Sequence, residues 1–204
     1  ESTYKHWSGV GIAFKLLCAL SDGDYEYVLK NYADIIALGT IGDVVSLTGE
    51  NRAIVKYGLS KINSFSSPAV KALKKSAGAE DKTLTATSVA FTLVPRINAI
   101  GRVEKAEEAF RLLISDNKEN AEFLAERIEK ANGERQRLEH IIMEEAEKQL
   151  FENPLMEFDR VLVFDGIDWH GGVIGIVAAR ITEKYGKPTI VITFEGDEGN
   201  KRRN

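Results

Sequence analysis

The sequence predicts an α/β chain in three stretches: a helix-rich first part, a long connecting helix, and a smaller α/β part holding a β-α-β unit. Three observations carry this. Residues 117–150 contain no proline and one glycine, and Leu124, Ile128, Ala131, Leu138, Ile142, Ala146 and Leu150 recur at helical spacing. Residues 160–164 and 189–194 read as strands flanking a helical stretch at 173–185. Everything before residue 117 reads mainly as short helices separated by Gly, Pro, Ser and Asp. The expected parts are 1–116, 117–152 and 153–204.

The long helix comes first because the rest is arranged around it. Asp116 with Glu119 reads as a capping pair. At ~1.5 Å per residue the element would span roughly 50 Å, longer than an ordinary globular helix, which predicts a connector between two bodies. Asn132-Gly133 interrupts it with a glycine that costs ~1 kcal/mol against alanine, and Arg135 falls on the apolar stripe. Either the helix kinks and the arginine snorkels, or Asn132 and Arg135 face a polar cleft. The apolar seam covers too few clean heptads to favour a coiled coil.

Ser8–Leu20 reads as a buried helix with a glycine-rich start, and 21–24 as a turn leading into the next helix. Asp22 and Asp24 have the spacing of a metal pair, but two acids around a glycine between helices are ordinary turn chemistry. Asp34–Leu38 reads as a short buried strand, followed by Gly39-Thr40-Ile41-Gly42-Asp43. An acid after a buried strand and glycines is where α/β proteins place ligand groups; a helix N-cap aspartate is the alternative. A helix follows to about Ile62, and Pro68 fits the first turn of another reaching Ala77.

The apolar segment 89–94 is expected to end at Pro95, ahead of Arg96-Ile97-Asn98-Ala99-Ile100-Gly101-Arg102. Two arginines and an asparagine around a tight glycine turn suit an anion, because forked guanidinium groups bind phosphate oxygens. A surface loop with two solvated arginines is the competing reading. Lys105–Leu113 reads as a short amphipathic helix.

After the long helix, Arg160–Phe164 reads as a strand, Asp165–Gly172 as a loop, Val173–Tyr185 as a helix closed by Gly186, and Thr189–Phe194 as a second, parallel strand. Trp169-His170-Gly171-Gly172 stands at the helix N-terminus, where unpaired N–H groups and the dipole favour an anion. His170 would donate to it or act as an acid, unless it is simply a loop histidine.

The chain has 204 residues, 44% of them hydrophobic and 28% charged, enough for real cores in one or two domains. A formal charge of −4 argues against an overall basic nucleic-acid-binding surface while leaving room for a local basic cleft. The lone Cys18 lies in an apolar helical run and excludes disulfides within the chain, which fits a reducing cytoplasm. No apolar run is long enough to cross a membrane, so no membrane partner is expected. Walker, CxxC and nucleophile-elbow motifs are absent. The first residue is Glu1, so a piece of a longer protein is expected.

Three stretches together resemble one family. They are Ala37-Leu38-Gly39-Thr40-Ile41-Gly42-Asp43-Val44-Val45, Pro95 through Arg102, and Trp169-His170-Gly171-Gly172-Val173-Ile174-Gly175-Ile176-Val177-Ala178. In order and separation, and with Asn132 and Arg135, they are similar to the RecJ family of single-strand-specific 5′-to-3′ DNA exonucleases within the DHH phosphoesterase superfamily. The resemblance covers nearly the whole chain. It implies the C-terminal part of a DHH catalytic domain, a connector helix and part of a DHH-associated domain, with the DNA in the cleft.

It also implies two divalent ions, Mn2+ or Mg2+, that activate water and steady the phosphate charge. Asp43 would be a metal ligand and catalytic residue, with His170 a second catalytic group. Arg96, Asn98, Arg102, Arg135 and Trp169 would bind substrate. The implied partner is the 5′ end of single-stranded DNA, in repair and recombination, with a helicase or single-strand-binding protein as associates.

The family's Asp-x-Asp and Asp-His-His metal motifs are absent, and no two histidines are adjacent. They lie upstream in the family, so the chain is expected to begin after them and to be inactive alone. The Gly-Ser-Gly-Arg-Ser-like loop is not visible after the last strand; the tail Gly199–Arg203 does not replace it. Gly42 and Gly171 stand where relatives often carry alanine and proline. Two alternatives are a superfamily phosphodiesterase of short oligonucleotides or cyclic dinucleotides, and a non-catalytic single-strand DNA-binding scaffold.

Overall fold

A computed structural model describes residues 4–64, 66–103 and 106–196. The helices before the connector are α1 (Gly9–Leu20), α2 (Tyr25–Gly42), α3 (Gly49–Ser64), α4 (Pro68–Ser76), α5 (Ala86–Thr92), α6 (Val94–Val103) and α7 (Glu107–Leu113). The connector is α8 (Lys118–Glu152), followed by a short 3-10 turn at Pro154–Phe158. Then come β1 (Leu162–Ile167), α9 (Gly171–Tyr185) and β2 (Thr189–Phe194). The chain separates into two units, Glu1–Asn132 and Gly133–Asn204, and the division falls inside α8. The expected α/β class with a helix-rich first part and a small parallel sheet is observed.

In the first unit α2 is the central element. Ala33, Ile36, Ala37, Leu38 and Ile41 are all buried on it, and it packs against α1, α3, α5 and α6. The expected strand at Asp34–Leu38 is therefore a helix. A five-residue apolar run that is covered by several neighbours has no visible helical face, so its periodicity cannot separate strand from helix. Asp34 is fully buried and satisfied: it accepts from the Ser67 N–H at 2.7 Å, with Lys61 Nζ 3.9 Å away. This fixes the entrance of α4.

Gly58 lets α3 lie against α2. A Cβ there would stand 2.3 Å from the Ala33 carbonyl oxygen and 2.3 Å from the Ala37 Cβ. The N-terminus of α1 is capped by Ser8, whose hydroxyl accepts from the Gly11 N–H and lies 3.3 Å from Thr40 Oγ1. This buried pair ties α1 to α2. Only one side of α1 is covered, since Ile12, Leu16 and Leu20 are exposed while Phe14 and Cys18 are buried. Trp7 sits beside this helix with its ring edge-on to Tyr4 at 5.1 Å and the Lys15 ammonium 4.7 Å from its centroid.

Pro95 begins a helix instead of ending a segment. It is the second residue of α6, where its missing N–H would have had no partner in any case. The expected glycine turn at Arg96–Arg102 is consequently helix interior. The helix α8 runs through Asn132-Gly133 without a break. Its first turn is capped by Asn117, whose side chain accepts from the Asn120 N–H at 3.0 Å, in place of the expected Asp116.

In the second unit β1 and β2 pair in parallel, from Leu162↔Thr189 to Ile167↔Phe194. Leu162 and Phe164 are buried on one face together with Val173, Val177 and Ile181 of α9, which packs on the sheet. Gly186 ends α9 in the left-handed conformation at φ 67°. The strand β1 continues through Asp165 to Ile167, three residues beyond the expected end. The expected helix start at Lys105 and the basic cluster Lys201-Arg202-Arg203 lie outside the described residues. Among the described residues no helix is long and apolar enough to cross a membrane.

Candidate functional site

In the first unit, residues of the first two motifs meet at one cavity of about 410 Å3. Its wall comes from α1 (Gly9, Val10), α2 with its C-cap (Ile35, Leu38, Gly39, Gly42, Asp43), α6 (Val94, Ile97, Asn98) and Leu113 of α7. Two glycines allow the helices to close around it. A Cβ at Gly39 would stand 3.0 Å from Val10 Cγ1, and one at Gly42 would stand 3.3 Å from Val94 Cγ1. These glycines are sites of helix approach, not parts of a ligand-cradling loop.

Asp43 is the C-cap of α2, its N–H donating to the Gly39 carbonyl at 3.0 Å. That position is opposite in sense to the N-cap considered from sequence. Its carboxylate is exposed and makes no hydrogen bond or ion pair among the described residues. The next residue, Val44, is held at φ 56° and is 89% exposed. A β-branched residue in the left-handed region is strained, so the backbone just after Asp43 carries strain beside the cavity.

The second motif does not act as one patch. With 3.6 residues per turn, Asn98 and Arg102 share a face of α6, whereas Arg96 lies on the other side. Asn98 faces the Asp43 cavity, is exposed, and has no hydrogen-bond partner among the described residues. Arg96 is engaged within the fold: its Nε and Nη2 both bond the Glu129 carboxylate on α8, the latter at 3.1 Å, and Nη1 donates to the Thr92 carbonyl at 2.5 Å. Arg102 is exposed.

In the second unit the third motif forms the entrance to α9. Trp169 is 5% exposed, and its indole N–H donates to Glu145 on α8 at 2.5 Å. The ring lies over Gly166, where a Cβ would fall 2.1 Å from it. Asp168, at φ 57°, accepts from the Gly196 N–H at 2.9 Å. His170 is the N-cap of α9, its Nδ1 accepting from the Gly172 N–H at 3.1 Å. That bond assigns the proton of the neutral ring to Nε2, so Nε2–H is the group His170 can offer a ligand.

Arg135 is buried and paired. Its Nη1 lies 2.7 Å from Glu139 Oε2, while Arg180 Nη1 lies 2.6 Å from Glu139 Oε1 in an ion pair without hydrogen-bond geometry. Glu139 is only 3% exposed, so two arginines neutralise one buried carboxylate. Sequence reasoning missed Glu129, Glu139 and Glu145 as partners of Arg96, Arg135 and Trp169. The spacing Arg135…Glu139 is the one such signal readable from sequence, as an i,i+4 pair.

Among the described residues, no group of three or more His, Cys, Asp or Glu side chains is arranged to hold a metal ion. Asp43 belongs to no such group among the described residues, and one carboxylate does not hold a divalent pair. These residues do not by themselves fit a complete two-metal centre.

No family model matches the chain. It is similar to the single-stranded-DNA-specific exonuclease RecJ of Bacillus subtilis, 35% identical over 196 residues. The match covers 96% of this chain and 24% of that protein, so the chain spans about a quarter of the relative's length. Its fold is similar to two crystal structures of RecJ from Thermus thermophilus. For the Mn2+ complex the TM-score is 0.78 at 37% identity, covering 94% of this chain and 28% of that one. For the Mg2+ complex the TM-score is 0.76 at 34% identity, covering 95% and 30%. The resemblance read from the three motifs thus extends over nearly the whole chain.

Proposed function

We propose that this chain, similar throughout to one segment of RecJ, is part of a single-strand-specific DNA exonuclease that cleaves phosphodiester bonds from the 5′ end. In that reading residues 1–116 belong to the DHH catalytic domain, 117–152 form its connector, and 153–204 belong to the DHH-associated domain. The observation that carries it is the cavity shared by Asp43 and Asn98: two polar side chains from separate motifs, both without hydrogen-bond or ion-pair partners among the described residues, on an otherwise largely apolar wall. Such a wall with a few convergent polar groups is a usual form of ligand site.

The relatives' structures carry Mn2+ and Mg2+, and the same ions are proposed for the complete enzyme, where a metal pair supplies an activated water and charge stabilisation. Asp43 is the residue of this chain proposed to reach that centre. Asn98 and Arg102, one turn apart on α6, are proposed to hold phosphate oxygens. His170 offers Nε2–H, and Trp169 fixes the loop that carries it. Arg96 and Arg135 belong to the same proposed substrate-binding set, each held within its own unit by a carboxylate, Glu129 and Glu139 respectively. A role in repair and recombination, a cytoplasmic location, and a helicase or single-strand-binding protein as associate belong to the same proposal.

The test uses a 5′-phosphorylated oligonucleotide with Mn2+. Protein expressed from the natural reading frame should digest the single strand and spare a duplex. Asp43→Ala should abolish digestion while circular dichroism stays unchanged; full activity in that variant would overturn the assignment. The 204-residue chain alone should digest nothing, and metal-dependent digestion by it would place a complete centre within these residues.

A further inference from the structure

A second cavity, of about 440 Å3, lies in the first unit between the end of α3, α4 and the start of α8. It has no residue in common with the Asp43 cavity. Lys74 lines it and is 7% exposed, yet its ammonium makes one hydrogen bond, to the Ile62 carbonyl at 3.4 Å. No carboxylate lies within ion-pairing distance of it among the described residues. An ammonium has three donors, and a buried charge without a counter-ion is unfavourable.

Ser66, 8% exposed, lines the same space with a hydroxyl that makes no hydrogen bond among the described residues. Lys71 and Lys118 are exposed on the wall and make no ion pair among the described residues. Lys75 is neutralised by Glu122 at 3.0 Å. Among the described residues Glu80 is the one carboxylate on the wall without an ion pair, against three such ammonium groups, Lys71, Lys74 and Lys118.

A lysine near the last carbonyls of a helix is ordinary C-terminal capping. Here that accounts for a single long bond, and it leaves the two other Lys74 donors, the Ser66 hydroxyl and the space between them unexplained. The N-terminus of α4 is already closed by the Ser67 side chain, so it is side chains that would recognise a ligand. The volume falls within the usual range for small-molecule sites, ~300–1,000 Å3.

We propose that this cavity binds the phosphate group of a small anion, either free phosphate or a nucleotide-sized phosphate monoester. Lys74 and Ser66 are its buried contacts, and Lys71 and Lys118 its exposed ones. The proposal stands independently of the nuclease reading.

The experiment is calorimetric titration of the 204-residue chain at fixed ionic strength with inorganic phosphate, adenosine 5′-monophosphate, and adenosine. Saturable binding of phosphate or the monophosphate, with none of adenosine, is expected. The two phosphate arms distinguish the free ion from the monoester as ligand. Lys71→Ala/Lys118→Ala changes only exposed side chains and should weaken binding by roughly tenfold or more through loss of two charge-assisted contacts. Lys74→Met should remove it. If Lys74→Met does not fold, the exposed pair carries the test alone. No saturable binding of either phosphate, equal binding of adenosine, or undiminished affinity in the exposed double variant would overturn the proposal.

Discussion

The carbonyl oxygen of Ala33 occupies the space that any side chain at Gly58 would need, 2.3 Å from where its Cβ would stand. Because the obstacle is backbone and the Ala37 methyl is equally close, neither side can rotate away. Gly58→Ala should therefore force α2 and α3 apart and destabilise the chain by ~2–3 kcal/mol. Urea unfolding measures this. A variant within ~0.5 kcal/mol of wild type would mean the two helices do not approach as described.

Val44 is the opposite case, a residue whose side chain is the problem. At φ 56° and 89% exposure it contributes little burial and holds a left-handed backbone. Val44→Gly should raise stability by ~0.5–1 kcal/mol, the relief of strain exceeding the added flexibility of the unfolded chain. The same unfolding measurement checks it, and a loss of stability would exclude strain at this position.

Arg96 and Arg102 should separate cleanly. Arg96 bonds both Glu129 and the Thr92 carbonyl. Its side chain is 15% exposed and that of Glu129 36%, so solvent screening reduces the pair's worth. Arg96→Ala should lower stability by ~1–2 kcal/mol, whereas Arg102→Ala at an exposed position should stay within ~0.5 kcal/mol. Single-strand binding, followed by anisotropy across salt concentrations, should show a shallower salt slope for Arg102→Ala. Equal stability losses in the two variants would contradict the partnership with Glu129.

Gly166→Ala should unseat Trp169. The new methyl would overlap the indole at 2.1 Å, and displacing the ring breaks its bond to Glu145. A loss of ~2–3 kcal/mol together with a red-shifted tryptophan emission is expected. Unchanged emission would show that the ring is seated elsewhere.

The parts of the fold legible in the sequence were those whose signals are local. The strand Thr189–Phe194, the left-handed stop at Gly186, the first-turn Pro68 and the helical spacing of the apolar residues of α8 each depend on near neighbours in the chain. What failed depends on tertiary surroundings. Asp34–Leu38 looked like a strand because burial on several sides erased its helical period. Gly101 looked like a turn, but it lies within a helix, where a Cβ would meet only the Ala106 methyl, at 3.7 Å, among the described residues. At the candidate site the motifs revealed which residues to watch, and Asp43 and Asn98 do share a wall. That Arg96 would be engaged by Glu129, and Trp169 by Glu145, was invisible because each partner sits on another element.

The chain's two tryptophans fall one to each unit, Trp7 beside α1 and Trp169 at the entrance to α9, with α8 belonging to both. Their emission is therefore an intrinsic pair of optical reporters. Trp169→Phe leaves a probe that reads only the first unit, and Trp7→Phe one that reads only the second. Melting curves from the two single-tryptophan proteins would superimpose if the continuous helix makes unfolding one cooperative event, and would split into two midpoints if each unit melts on its own.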